Sequence, residues 1–301
     1  MFRLCHVFVL MITCVVSQSA ALIAAEDLKT TFELKDGDRV VLLGGTFVER
    51  EGQFGYLETA LTTAWPDRKV TFRNLGWSGD TVWADSRGIF DPAHVGYQRM
   101  LELVKELKPT LIVLGYGLNE SYSQEAGLGK FVAQYEKLCD DLKPTNARLA
   151  FLTPHRLERP QPPLPDASRQ NKTLAIYAKA VRELAQRRQS PVIELFELPL
   201  ASSSLTENGM HFGSQGYAAF VAALQAKEGW PSLKVGDAKA EAIRQKVVEK
   251  NMLFFHRWRP QNITYLTGFR KHEQGNNAVE IAQFDPLVEK IETEINELKR
   301  K

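Results

Sequence analysis

Two four-residue runs, Val40-Val41-Leu42-Leu43 and Leu111-Ile112-Val113-Leu114, are apolar at every position. A strand with one face in water alternates polar and apolar residues, so an unbroken run marks a strand buried on both faces. That constrains the fold more than any other feature, because both faces must then be covered by helices. Weaker strand signals follow the same plan at 70–75, 149–152 and 192–195. Helical spacing fills the intervals: Phe54, Leu57, Leu61 and Trp65; Met100, Leu101, Val104 and Leu107, ending before Pro109; 128–142; 171–188; and a closing helix from about Gly213. Strands alternating with helices at these intervals predict an α/β fold, a three-layer parallel sheet covered on both faces.

The rest of the chain bounds the setting. With 301 residues, 44% of them hydrophobic, one sizeable domain and an appendage fit comfortably. The 38 basic and 36 acidic residues leave a net charge of +2, which argues against a nucleic-acid partner. Arg3, the apolar stretch from Val7 to Val16 and the small residues Ser17-Gln18-Ser19-Ala20 form a secretory signal pattern over 1–25, so the chain is expected to be exported, periplasmic or extracellular. No other run is long enough to span a membrane. Cys5 and Cys14 fall within that peptide, leaving Cys139 with no partner for an internal disulfide. The main domain is expected at 26–234. A helical C-terminal extension at 235–301 holds helices at 241–255 and 285–300, the second with Leu287, Ile291, Ile295 and Leu298 on one stripe. It is expected to pack on the main domain or on a protein partner.

The chemistry-bearing residues lie just after the strands. Gly44-Gly45-Thr46 follows the first, Gly76-Trp77-Ser78-Gly79-Asp80 the second, and Gly115-Tyr116-Gly117-Leu118-Asn119 the third. Loops after neighbouring parallel strands meet in one crevice at the carboxyl edge of the sheet. A hydroxyl there, beside backbone and amide donors and with a histidine arriving from a later loop, has the parts that acyl transfer needs: nucleophile, base and oxyanion donors. No cysteine, histidine or carboxylate spacing suggests a metal site, and no cofactor is expected.

These blocks resemble the SGNH, or GDSL-type, hydrolase superfamily, whose fold is a flavodoxin-like parallel sheet. Gly44-Gly45-Thr46 stands at the family's nucleophile block, Gly76 at its second-block glycine, Gly117-Leu118-Asn119 at its Gly-x-Asn block and Asn208-Gly209-Met210-His211 at its final Asp-x-x-His. The similarity spans about residues 38 to 227, and its wording is closest to SGNH-like proteins common in planctomycete-type bacteria. In that group the domain is often joined to haem-binding cytochrome modules; this chain has no Cys-x-x-Cys-His. The resemblance implies an ester hydrolase with Thr46 as nucleophile, His211 as base and an oxyanion hole from the N–H groups of Thr46 and Gly76 and the amide of Asn119. The substrate would be a small ester or a carbohydrate ester.

The chain departs from the family twice. Thr46 replaces serine with a stiffer secondary hydroxyl, and Asn208 replaces the aspartate that would stabilise an imidazolium. Glu207, next to Asn208, offers an alternative carboxylate. Ser78, Asp80 and Tyr116 are further pocket candidates, while Trp77 and Trp83 are candidates for a stacking wall. Glu49 and Arg50 are expected to serve structural pairing. The competing reading is an SGNH-fold module that binds a glycan or protein partner without turnover.

Overall fold

The computed structural model describes residues 31–199 and 205–300; the expected signal peptide lies outside them. Five parallel strands form one sheet in the order β2-β1-β3-β4-β5, with β1 Arg39–Gly44, β2 Thr71–Asn74, β3 Leu111–Gly115, β4 Arg148–Leu152 and β5 Val192–Ile193. The apolar runs become the two inner strands, paired Val40 to Leu111 through Gly44 to Gly115. Their side chains alternate between two separate cores, as a period of two requires. Val40, Leu42, Leu111 and Val113 pack with Leu57, Phe220 and Leu224, whereas Val41, Leu43, Ile112 and Leu114 pack with Tyr97, Tyr135 and Val181.

Helices α1 (Thr46–Phe54), α2 (Tyr56–Ala64) and α6 (Ser214–Glu228) belong to the first layer; α3 (Ala93–Glu106), α4 (Gln124–Leu142) and α5 (Asn171–Arg187) cover the other face. The stripe from Phe54 to Trp65 does not belong to one helix. Gly55, at φ +69, closes α1 through its N–H to Glu51 O and starts α2. The expected strand at 192–195 is shorter than its apolar pattern. Glu194 ends it by accepting the Thr153 hydroxyl at 2.8 Å and the Phe196 N–H at 2.9 Å while pairing with Arg182.

The C-terminal extension packs on this sheet. Helix α7 (Ala238–Trp258), capped by the Asp237 carboxylate, contacts α1, α2 and the edge strand β2. Two short helices, α8 (Ile263–Leu266) and α9 (Lys271–Gln274), lead to α10 (Phe284–Arg300), which pairs with α7 through Ile243, Val247, Ile291 and Ile295. Docking also buries polar groups: Lys250 pairs with Glu58 and donates to Phe72 O at 3.1 Å, and Asn251 donates to Glu58 at 3.0 Å. Removing one partner of a buried pair of this kind would strand the other charge, at a cost of about 3–5 kcal/mol. On α10 the buried stripe is Val288, Ile291 and Ile295, and Leu287 is exposed. Leu298 still packs against the cluster shared with α7, and Lys299 joins the buried face, donating to Arg68 O at 2.6 Å.

Cys139 is buried in α4, and burial pushes its thiol up to about 12, so it is an inert core residue. No helix among the described residues is long and apolar enough to cross a membrane.

Candidate active site

The first turn of α1 organises the cleft. Strand β1 ends at Gly44, and Gly45 accepts the N–H groups of Val48 and Glu49 at 3.1 Å, so Thr46 is the first helical residue. An N–H at this position has no carbonyl in its own helix to meet, and the positive end of the helix is directed outward. Thr46 and Phe47 line a narrow cleft, about 50 Å³ of open interior, together with Asn119, His155, Met210 and His211. Asp80, Tyr116 and Arg50 also border it. Loops following β1, β3, β4 and β5 thus meet as the parallel sheet dictates.

The glycine of the second block that reaches Thr46 is not the expected one. Gly76 donates its N–H to Asn74 Oδ1 at 2.8 Å, so that donor is spent inside the loop. A Cβ there would meet Glu49 N at 2.1 Å, which shows what the glycine is for: the backbone lies against the first turn of α1. Gly79 supplies the contact instead. Its N–H donates to Thr46 Oγ at 3.0 Å, and its φ of +74 is a conformation that glycine adopts without cost. Among the described residues this is the Thr46 hydroxyl's one hydrogen-bond partner. Ser78, a pocket candidate, turns the other way: its N–H and hydroxyl both donate to Glu49, at 2.6 and 3.0 Å.

Asn119 stands where it was expected, its amide donating to Asp80 O at 2.8 Å with the nitrogen close behind Gly45. The Asp80 side chain is not available to a ligand. It is buried against Arg87 at 2.6 Å and accepts the Tyr116 hydroxyl at 3.3 Å, which makes both Asp80 and Tyr116 struts of the core. Sequence reasoning missed Glu120, buried behind the cleft, which accepts the N–H groups of Val82 at 2.9 Å and Gly117 at 2.8 Å. It ties the loops after β2 and β3 together, and burial raises its carboxyl to about 7. Its place beside Asn119 was the available signal. Trp77 belongs to no cleft wall; it packs against Trp258 of α7, ring centroids 5.7 Å apart. Trp83 packs on the core on the α3 and α4 side.

On the other side of the cleft, Asn208 sets the state of His211. Asn208 Oδ1 accepts the N–H groups of Met210 at 3.1 Å and His211 at 2.9 Å. Two donors on one amide atom identify it as the oxygen, so the amide nitrogen is the atom 3.3 Å from His211 Nδ1. A nitrogen that donates to Nδ1 leaves it unprotonated, and the proton of the neutral ring then sits on Nε2. The ring is held neutral: burial, then the charge of Arg50, lowers its pKa below the usual histidine value. Among the described residues it makes no hydrogen bond with Thr46.

Glu207 does not take the missing aspartate's place. Its carboxylate pairs with Arg50 at 2.7 Å, and Arg50 also donates to Phe212 O at 3.0 and 3.2 Å. The first five residues of α1 thereby hold both rims, Glu49 the loop of Gly79 and Arg50 the loop of His211. Glu158 in the proline-rich segment supports the second rim, accepting the Thr206 N–H at 2.9 Å, while its own N–H meets Gly209 O at 2.8 Å. His155, also missed as a site residue, sits between Phe47 and Phe212 at ring distances of 5.3 and 4.8 Å. Its Nδ1–H donates to Arg156 O at 2.9 Å, and burial depresses its pKa to about 4. No cluster of three or more histidine, cysteine or carboxylate residues able to hold a metal occurs among the described residues.

Residues 35–219, more than half of the chain, match the model of the GDSL-like lipase/acylhydrolase family. Among solved structures, a gut microbial diltiazem-metabolizing enzyme is similar with a TM-score of 0.61 at 10% identity, covering 91% of this chain and 97% of its own. A catalytic mutant of Axe2, an acetylxylan esterase from Geobacillus stearothermophilus, gives a TM-score of 0.51 at 17% identity, covering 66% of this chain and 97% of that one. At these identities the likeness is one of fold. No curated protein matches the sequence.

Proposed function

This chain belongs to the GDSL-like lipase/acylhydrolase family, and we propose that it is an exported hydrolase of small acyl esters, acetyl esters of carbohydrates foremost, with an altered triad. The observation that carries this reading is the placement of Thr46. Its hydroxyl stands at the positive end of α1, 3.0 Å from the Gly79 N–H, in one cleft with Asn119 and His211. Attack by Thr46 Oγ on an ester carbonyl would place the developing oxyanion among the N–H groups of Thr46 and Gly79 and the Asn119 amide. His211 would take the hydroxyl proton and pass it to the alcohol that departs as the ester C–O bond breaks; water would then hydrolyse the acyl-enzyme, releasing the acid and restoring the Thr46 hydroxyl. The small interior, bounded by Phe47, Met210 and Phe212, suits a short acyl group.

Asn208 is the handicap in this scheme. Before His211 Nε2 can accept a proton, the ring must exchange its tautomer and give up the bond from Asn208, and no carboxylate then stabilises the imidazolium. Turnover is therefore expected to be slow. The mature protein, Thr46→Ala and His211→Ala should be compared on aryl acetates and acetylated xylo-oligosaccharides. Loss of at least about 10³-fold in Thr46→Ala supports the assignment; equal rates in all three proteins overturn it.

The Nε2–H tautomer also favours a second reading, in which the cleft binds an acylated glycan without turning it over. Calorimetric titration that shows tight binding of an acetylated sugar, with no acetate released over hours, would select it.

A further inference from the structure

Helix α7 ends at Trp258, and Arg259 leaves it against the outer side of the loop that carries Gly79. The Arg259 guanidinium lies 3.6 Å from the Trp77 ring centroid, and its Nη1 donates to Glu49 Oε2 at 2.8 Å. That same oxygen accepts the Ser78 N–H at 2.6 Å, and Oε1 accepts the Ser78 hydroxyl at 3.0 Å. Ser78 precedes Gly79, whose N–H meets Thr46 Oγ at 3.0 Å. A continuous series of contacts therefore runs from the C-terminal extension to the hydroxyl of the cleft: Arg259, then Glu49 and Trp77, then Ser78, then Gly79, then Thr46.

Each contact suits positioning. The Glu49 side chain is 17% exposed and that of Arg259 26%, so the pair is partly withdrawn from water, where charge-assisted hydrogen bonds hold geometry better than on an open surface. A planar guanidinium stacks on an indole while its edge remains free to bond a carboxylate, a combination that lysine does not reproduce. Without Arg259, Glu49 would hold Ser78 with an unpaired charge, and Trp77 would lose the nearer of two cations, Arg87 remaining at 5.5 Å from its ring centroid. The loop 76–80 is anchored on either side of Ser78, by the Trp77 N–H to Gly44 O at 2.9 Å and by Asp80 to Arg87 at 2.6 Å. Between these anchors Ser78 is held by Glu49, next to the left-handed Gly79, so the aim of the Gly79 N–H depends on the brace.

We propose that Arg259 is a positioning residue for the Gly79 N–H donor, which makes the C-terminal extension part of the reactive apparatus; the proposal rests on the ester-hydrolase reading of the cleft. It is tested with the full mature chain in three variants: Arg259→Ala, Arg259→Lys and Arg257→Ala. The last is the control, because Arg257 ties the same segment to Glu106 and Asp285, away from the cleft. With p-nitrophenyl acetate, Arg259→Ala should lower kcat about tenfold, a fraction of the 10²–10³ that loss of an oxyanion donor costs, with KM within about twofold. Arg259→Lys should recover part of kcat and also serves if the alanine variant does not fold. Arg257→Ala should leave both constants within about twofold.

Amide hydrogen exchange across 76–80 provides a readout that needs no turnover. Exchange should quicken in Arg259→Ala and stay at the wild-type rate in Arg257→Ala. Equal effects of the two alanine variants, or unchanged exchange in Arg259→Ala, would overturn the proposal. If wild-type protein releases no acyl group while exchange still quickens in Arg259→Ala, the brace stands and the ester-hydrolase reading alone fails.

Discussion

The two rims of the cleft are built to different standards. On one rim, the Gly79 N–H donates to Thr46 Oγ at 3.0 Å and the Asn119 amide lies behind Gly45, the donors that the proposed ester chemistry would use, held by the first turn of α1 and by Glu49. On the rim of His211, the loop is held as firmly, by Arg50 and Glu158, but the group beside the imidazole is an amide. Rigid support and chemical competence are thus separable: Asn208 anchors two backbone N–H groups as an aspartate would, yet hands His211 a donor where the ring needs an acceptor. The chain keeps the backbone anchoring of the His211 loop while the hydrogen bond between residue 208 and the ring runs from the amide to Nδ1.

Breaking the intact rim should have the larger effect. Gly79→Ala forces a side chain onto a backbone at φ +74, with Ser86 Oγ 3.3 Å from the new Cβ. Turnover should fall about 10²-fold, the scale of losing one oxyanion donor, measured as kcat on an aryl acetate. The same change at Gly76 would disturb the fold through Glu49 N and is read by stability instead. A normal kcat in a folded Gly79→Ala protein would return the donor role to another group.

Repairing the altered rim should act in the opposite direction. In Asn208→Asp the carboxylate still accepts the N–H groups of Met210 and His211 and now also takes a proton-bearing Nδ1. Turnover should rise at least about tenfold; the reverse replacement costs about 10⁴ in the serine-protease triad. No rise, with Thr46 confirmed as nucleophile by acyl trapping, would place the limit at the secondary hydroxyl, which Thr46→Ser then tests.

A separate effect, on stability rather than turnover, concerns the helix that carries the rim of Thr46. Glu51 in α1 is buried, receives the Leu57 N–H at 2.6 Å and the Glu58 N–H at 3.1 Å, and has an Oε2 with no partner. Burial raises its pKa from 4.5 to about 8. The folded state therefore keeps a proton that the unfolded chain gives up, so this contribution is full below pH 4.5 and is lost as pH rises toward 8, by at most about 1.4 kcal/mol per pH unit. Glu51→Gln should flatten the fall in Tm between those limits, leaving the part that Glu120 contributes up to about 7. An unchanged slope would mean that Glu51 is ionised in the folded protein.

Much of this was legible in the chain itself. The apolar runs fixed which strands are central, the turns after them placed Thr46 and Asn119 at one edge, and the last loop brought His211 to the same edge. What stayed hidden depends on the path of a loop or on pairing across long separations. Gly76 and Gly79 lie in one loop, and only the backbone path shows which N–H turns toward Thr46. Glu207 and Asn208 are neighbours, yet one carboxylate faces Arg50, 157 residues away in sequence, while the amide faces the ring. Arg259 reaches Glu49 across 210 residues, a contact that no local pattern announces.

The tautomer of His211 separates an altered site from an ordinary triad most directly. Two-dimensional ¹H–¹⁵N correlation spectra of histidine-labelled protein, recorded near neutral pH, report it for the ring in solution. A neutral His211 with its proton on Nε2, moving to Nδ1 in Asn208→Asp, is the predicted result. A wild-type ring that already carries its proton on Nδ1 would contradict the account.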